Sequence, residues 1–193
     1  MGDSSGGNIA LSLGFWAVEN YHPLEPTTTS TTPDFPLKSI LAISPAVDLR
    51  NVNPAMHGAD KLDPVLTISL TSRVARAWAS PTANSKHLSE VADGPRPARV
   101  TDAQLSPLLN SDDVFQALVR NRVRVDGVVG THDVLAPDAL LFMRKCERCG
   151  VRGRWLVWEN QMHCFPLAMG KGPLGLMEAK DAGEWIVRVL GGP

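Results

Sequence analysis

The chain has 193 residues, of which 44% are hydrophobic and 20% charged, and a formal net charge of −1. This suffices for one ordinary globular domain with its own core. The near-neutral balance gives no electrostatic reason to expect nucleic acid or an anionic membrane as partner, and no apolar run reaches the ~18–20 residues that span a bilayer.

The chain opens on Met1-Gly2-Asp3-Ser4-Ser5-Gly6-Gly7-Asn8. This stretch has no basic segment followed by an apolar one, so no signal peptide is legible and a cytoplasmic location is favoured. Residues 6–20 predict a helix, with Ile9, Leu13 and Trp16 at helical spacing. Residues 21–36 are rich in Pro and Thr and read as a mobile surface loop inside one domain. Residues 38–44 form a short apolar run stopped by Pro45, which reads as a buried strand. Residues 51–99 carry several prolines, and the pattern predicts one helix near 66–79. Ser111 is placed to cap a short helix ending at Arg120.

Residues 122–130 are β-rich and end in Gly130, giving a second strand. Residues 137–149 read as a helix stopped by Gly150. Residues 153–159 give a third strand, and 175–190 a terminal helix with Leu176, Trp185, Ile186 and Val189 at core positions. Strands separated by helices imply an α/β fold with a mostly parallel sheet and flanking helices. The three cysteines, Cys146, Cys149 and Cys164, do not make a disulfide framework. Cys146 and Cys149 have no second pair to complete a zinc site, and they fall within a helical pattern, so they read as ordinary thiols. No metal or cofactor is expected, and activity should survive chelators.

Gly2-Asp3-Ser4-Ser5-Gly6 fits the G-x-S-x-G turn, in which a serine sits on a strained strand-to-helix connection. Glycines are expected there because side chains beside the serine would collide with the turn. A serine hydroxyl needs a base to take its proton, and the base needs a third group to orient it. On such a sheet the partners follow in the order Ser, acid, His, each just after a strand. Asp133 follows the second predicted strand and His163 the third, so order and placement both match. Asp126 lies within a strand, Asp138 in a first helical turn, and His132 precedes the last strand. His22, His57 and His87 lie in polar or mixed segments.

Gly2-Asp3-Ser4-Ser5-Gly6-Gly7-Asn8 resembles the GDSAGGN elbow of the hormone-sensitive lipase-like esterases of the α/β-hydrolase fold. Ser44-Pro45-Ala46-Val47-Asp48-Leu49, Gly130-Thr131-His132-Asp133-Val134-Leu135 and His163-Cys164-Phe165 resemble that family's SPxxDL, GxxDxL and HxF segments, in the same order. Asp63-Pro64 and Ser106-Pro107-Leu108 fall where the family has similar short signatures.

The resemblance implies a serine carboxylesterase acting on a small-molecule ester through an acyl-enzyme. Ser4 would be nucleophile, His163 base and then acid, Asp133 its orienting partner, and the backbone N–H of Ser5 an oxyanion donor. The region 51–99 would be cap-like and line the acyl pocket. In a full-length version, activity would rise through an apparent pKa near ~6–7. One departure is large: the family's HGGG oxyanion loop and the strands before the elbow have no counterpart here. The chain is therefore expected to be a C-terminal part of the fold, nearly inactive and poorly folded alone, with 38–44 an exposed edge and Ser4 no longer held. Alternatives are a catalytically dead remnant, a peptidase or formamidase, and a small-molecule-binding module like the plant hormone receptors. The last lack the histidine that stands here as His163.

Overall fold

The structure, a computed structural model, describes residues 1–21, 35–79, 98–170 and 176–191. Most of the Pro/Thr-rich stretch, the end of the 51–99 region, His22 and His87 therefore lie outside the described residues. The family signatures of the sequence all lie within them.

Four parallel strands form one sheet in the order β1 (Gly2–Asp3), β2 (Ser39–Ile43), β3 (Arg124–Gly130), β4 (Trp155–Trp158). The connections carry α1 (Ser4–Asn20), α2 (Met56–Ala59), α3 (Ile68–Ala79), α4 (Asp112–Arg120) and α5 (Ala136–Arg148), with α6 (Met177–Leu190) after β4. The register pairs Gly2 with Ala42, Ile40 with Val125 and Gly127 with Trp155. Because all strands run the same way, their carboxyl ends lie along one edge, where connecting loops meet.

The strands are apolar on both faces because both faces are covered. On one face, Ile40, Ala42 and Val125 pack with Leu11 and Phe15 of α1, Phe115 and Leu118 of α4, and Phe142 of α5. The rings of Phe15, Phe115 and Phe142 form a triangle with centroids 5.0, 5.6 and 6.1 Å apart. On the other face, Ile43 and Val128 pack with Phe165 and with Ala182, Trp185 and Ile186 of α6.

Several expectations change. The helix after the elbow starts at Ser4 and buries Leu11, Phe15 and Val18, while Ile9, Leu13 and Trp16 are exposed. A second apolar stripe on the same helix, two positions round, is the one that meets the sheet. Gly2–Asp3 is a short strand that the sequence reading did not place, and it pairs with the far end of β2. Residues 38–44 are thus partly covered at their edge. Arg122 sits at φ 57° in the turn before β3, so that strand begins at Arg124. Ser111 occupies the N-cap position of α4, but its side chain makes no capping hydrogen bond. Asp112 and Asp113 in the first turn favour the helix dipole there instead.

Candidate active site

Each predicted site residue lies just beyond a strand at the carboxyl edge. Ser4 directly follows β1 and takes φ 52°, an uncommon conformation for a residue with a Cβ. The elbow is therefore strained as it stands, contrary to the expectation that Ser4 would relax. The flanking glycines divide the work unevenly. A Cβ at Gly2 would meet Gly6 O at 2.2 Å, so that glycine is required. A Cβ at Gly6 would meet nothing within 4 Å, and the tight position is Gly7, whose Cβ would lie 3.1 Å from Pro45. Asn8, the fifth residue of the helix, donates through Nδ2 to Ala46 O at 2.5 Å and Leu105 O at 2.8 Å. It ties the elbow helix to the loop after β2.

Asp133 and His163 come together. Asp133 is fully buried, His163 is 6% exposed, and Nδ1 lies 3.0 Å from Asp133 Oδ2. The other carboxylate oxygen, Oδ1, accepts from the backbone N–H of Leu135 at 2.8 Å. Burial works to lower the histidine's pKa. The hydrogen bond to Asp133 and the contact with Cys164 outweigh it, and the group is pushed up to about 10. The carboxylate stabilises the protonated ring and selects the tautomer carrying hydrogen on Nδ1.

Ser4 stands on the same edge, but no hydrogen bond joins its side chain to His163 among the described residues. Nε2 instead faces Cys164 Sγ at 3.3 Å. Two short links hold the loops together. Cys164 N–H donates to Ser44 Oγ at 3.0 Å, and Ala46 N–H donates to Ser4 O at 3.3 Å. Ser5 is the second residue of α1, where a backbone N–H has no partner within the helix.

Ser4 and Ser5 open onto a cavity of about 270 Å3 lined further by Leu49, Leu66, Leu70, Val74, Trp78 and Leu135. Much of this wall comes from α3 in the cap-like region. Among the described residues no charged side chain lines the cavity.

The competing acids are engaged elsewhere. Asp126 is buried in β3, where Oδ1 accepts from Arg154 N–H at 2.8 Å and Oδ2 lies 3.8 Å from Arg124 Nε. Asp138 accepts from Asn53 Nδ2 at 2.8 Å, and its carboxyl is raised by burial. His132 donates its backbone N–H to Gln161 O, and His57 is exposed. Among the described residues no group of three or more His, Cys, Asp and Glu could hold a metal ion, and no helix is long and apolar enough to cross a membrane.

A further positioning residue lies in the Asp63-Pro64 signature, to which the sequence assigns no role. Asp63 is 8% exposed; Oδ2 accepts from Val134 N–H and Oδ1 from Val65 N–H, both at 2.9 Å. It clamps the backbone immediately after Asp133. Its signal was an acid before proline in an otherwise mixed region. Asp63→Asn is expected to cost about 1–3 kcal/mol, because an amide N–H would face the buried N–H of Val134. Urea unfolding checks this, and an unchanged midpoint would count against the clamp.

A parallel sheet carrying a serine on a strained turn after one strand, and an acid and a histidine after two later ones, defines an α/β hydrolase. The family model described as alpha/beta hydrolase fold matches residues 1–167, and the chain belongs to that family. Solved structures agree on the fold. An esterase/lipase from an uncultured bacterium has TM-score 0.67 and 21% identity over 97% of this chain and 49% of its own. A hormone-sensitive lipase from a metagenome library has TM-score 0.68 and 16% identity over 97% and 53%. Carboxyl esterase 2 from the mycorrhizal fungus Tuber melanosporum has TM-score 0.66 and 22% identity over 96% and 50%. The chain thus spans about half the length of these relatives. No curated protein sequence matches it significantly.

Proposed function

We propose that the chain carries the catalytic residues of a carboxylic ester hydrolase. Ser4 Oγ attacks the ester carbonyl while His163 takes its proton. His163 then returns that proton to the leaving alcohol, and water hydrolyses the acyl-enzyme by the same route. Asp133 keeps the histidine in the tautomer whose Nε2 can accept. The N–H of Ser5, at the start of α1, supplies one oxyanion donor. The observation that carries the reading is the buried His163–Asp133 pair, on the same sheet edge as the strained Ser4. The relatives' descriptions as esterase, lipase and carboxyl esterase point to the same class. The uncharged cavity beside Ser4 suits a short acyl group of a small-molecule ester.

A derivative that has lost turnover is the second reading. It is favoured by the absence of a Ser4–His163 hydrogen bond among the described residues. Rate measurements across pH separate the two. Only neutral His163 can act as base, and the ring's pKa is raised, so the reactive fraction grows with pH beyond the ordinary histidine range. Hydrolysis of p-nitrophenyl butyrate should therefore rise steadily from pH 5 to 8, with its midpoint above ~6.5. This is higher than the sequence expectation of ~6–7, because Asp133 and Cys164 both act on the ring. In Asp133→Asn the midpoint should fall and the rate with it. A flat profile in the parent chain would count against a histidine base.

A further inference from the structure

Cys164 presents an arrangement that ester hydrolysis leaves unused. Its Sγ lies 3.3 Å from His163 Nε2, and His163 Nδ1 lies 3.0 Å from Asp133 Oδ2. Since Asp133 accepts the hydrogen on Nδ1, Nε2 is the ring atom that shares a proton with the sulfur: with the ring neutral the thiol S–H donates to Nε2, and with the ring protonated the Nε2–H points at Sγ. Nucleophile, base and orienting carboxylate thus stand in the relation that activates serine and cysteine nucleophiles. The backbone holds the sulfur in place, with Cys164 at φ 52° and its N–H bonded to Ser44 Oγ. The side chain is partly exposed, whereas Cys146 and Cys149 are buried.

We propose that Cys164 is a histidine-activated thiol, a covalent modification site for α,β-unsaturated carbonyl compounds. The thiol proton passes to His163 Nε2, and Sγ adds to the β-carbon of the electrophile. The C–S bond forms as the C=C π pair moves toward the carbonyl, and the α-carbon then takes the proton back from the imidazolium. The product is a neutral thioether with no leaving group and no further reactant. The site needs only the thiol and the His163–Asp133 pair, so it stands independently of ester hydrolysis. If Ser4 also uses His163, the adduct occupies the space at Nε2 and stops turnover.

The test is adduct mapping by peptide mass spectrometry on the 193-residue chain treated with acrylamide at neutral pH. Cys164 should react about ten-fold or more faster than the same cysteine in the urea-unfolded chain, as a base-activated thiol does relative to a free one. Cys146 and Cys149 should be protected in the folded chain. His163→Gln should bring Cys164 down to the unfolded rate or below. Where circular dichroism shows that this variant has lost its fold, Asp133→Asn takes its place, because its amide oxygen can still accept from Leu135 N–H. That variant should slow Cys164 several-fold. A native rate no faster than the unfolded one, or a rate unchanged in the folded variant, overturns the proposal. Mass readout keeps this outcome separate from any failure of ester hydrolysis.

Discussion

The 193-residue chain is expected to hydrolyse p-nitrophenyl butyrate at least ~10²–10³ more slowly than the same residues joined to the N-terminal half of a related esterase. The chain spans about half the length of its structural relatives, and the proposed mechanism assigns it one oxyanion donor, the N–H of Ser5. Losing a single such donor typically costs this much, because it stabilises charge that develops only in the transition state. The packing argues in the same direction. Ile9, Leu13 and Trp16 form an exposed stripe on α1, and the groove beside it is lined by Met1, Leu37 and Ile40. Among the described residues no strand pairs with the outer edge of β1, and such an edge is a template for aggregation. Adding strands to that edge should cover the stripe, raise solubility and complete the oxyanion site. Ser4→Ala in the joined protein should return the rate to that of the bare chain. Ser4-dependent turnover by the 193 residues alone, equal to that of the joined protein, would sink the expectation. It would mean that the chain builds an oxyanion site from other groups.

Phe115→Ala is expected to give the largest loss of stability among single core substitutions, about 3–5 kcal/mol. Phe115 is fully buried and sits 5.0 Å from the Phe15 ring and 5.6 Å from the Phe142 ring. It is where α1, α4 and α5 meet on one face of the sheet. Truncation removes its own transfer energy and leaves a cavity bounded by two rigid rings, which relax poorly into the space. Small domains hold only about 5–15 kcal/mol in total, so this one change should remove a large share of the stability. Urea unfolding followed by tryptophan fluorescence measures it. A midpoint within experimental error of the parent would show that the aromatic triangle is not the anchor of the fold.

The proposed chemistry is readable in the sequence because it is carried by residue type and order. The elbow pattern marks Ser4, while the acid at Asp133 and the histidine at His163 each follow a β-rich segment. In a parallel sheet that placement alone puts them on one edge. The strands and their parallel arrangement were legible too, since 38–44 holds a short apolar run, 122–130 is β-rich, and helical stretches separate them.

Tertiary structure decided what periodicity leaves degenerate. Helix α1 carries two apolar stripes, and only contact with β2 selects Leu11, Phe15 and Val18 over Ile9, Leu13 and Trp16. Gly7 rather than Gly6 is the crowded elbow position, because the neighbour that crowds it, Pro45, is 38 positions away in the chain. Asp63 grips Val134 from 71 residues away, and no local pattern encodes that distance. Cys164 reads as an ordinary thiol in sequence. It becomes a partner of Nε2 only because the loop after β4 turns its sulfur back onto the preceding histidine. Residue identity and order determine which reactive groups the chain owns. Which of them touch is set by long-range packing, because side-chain contact depends on how separate elements are docked and not on their local propensities.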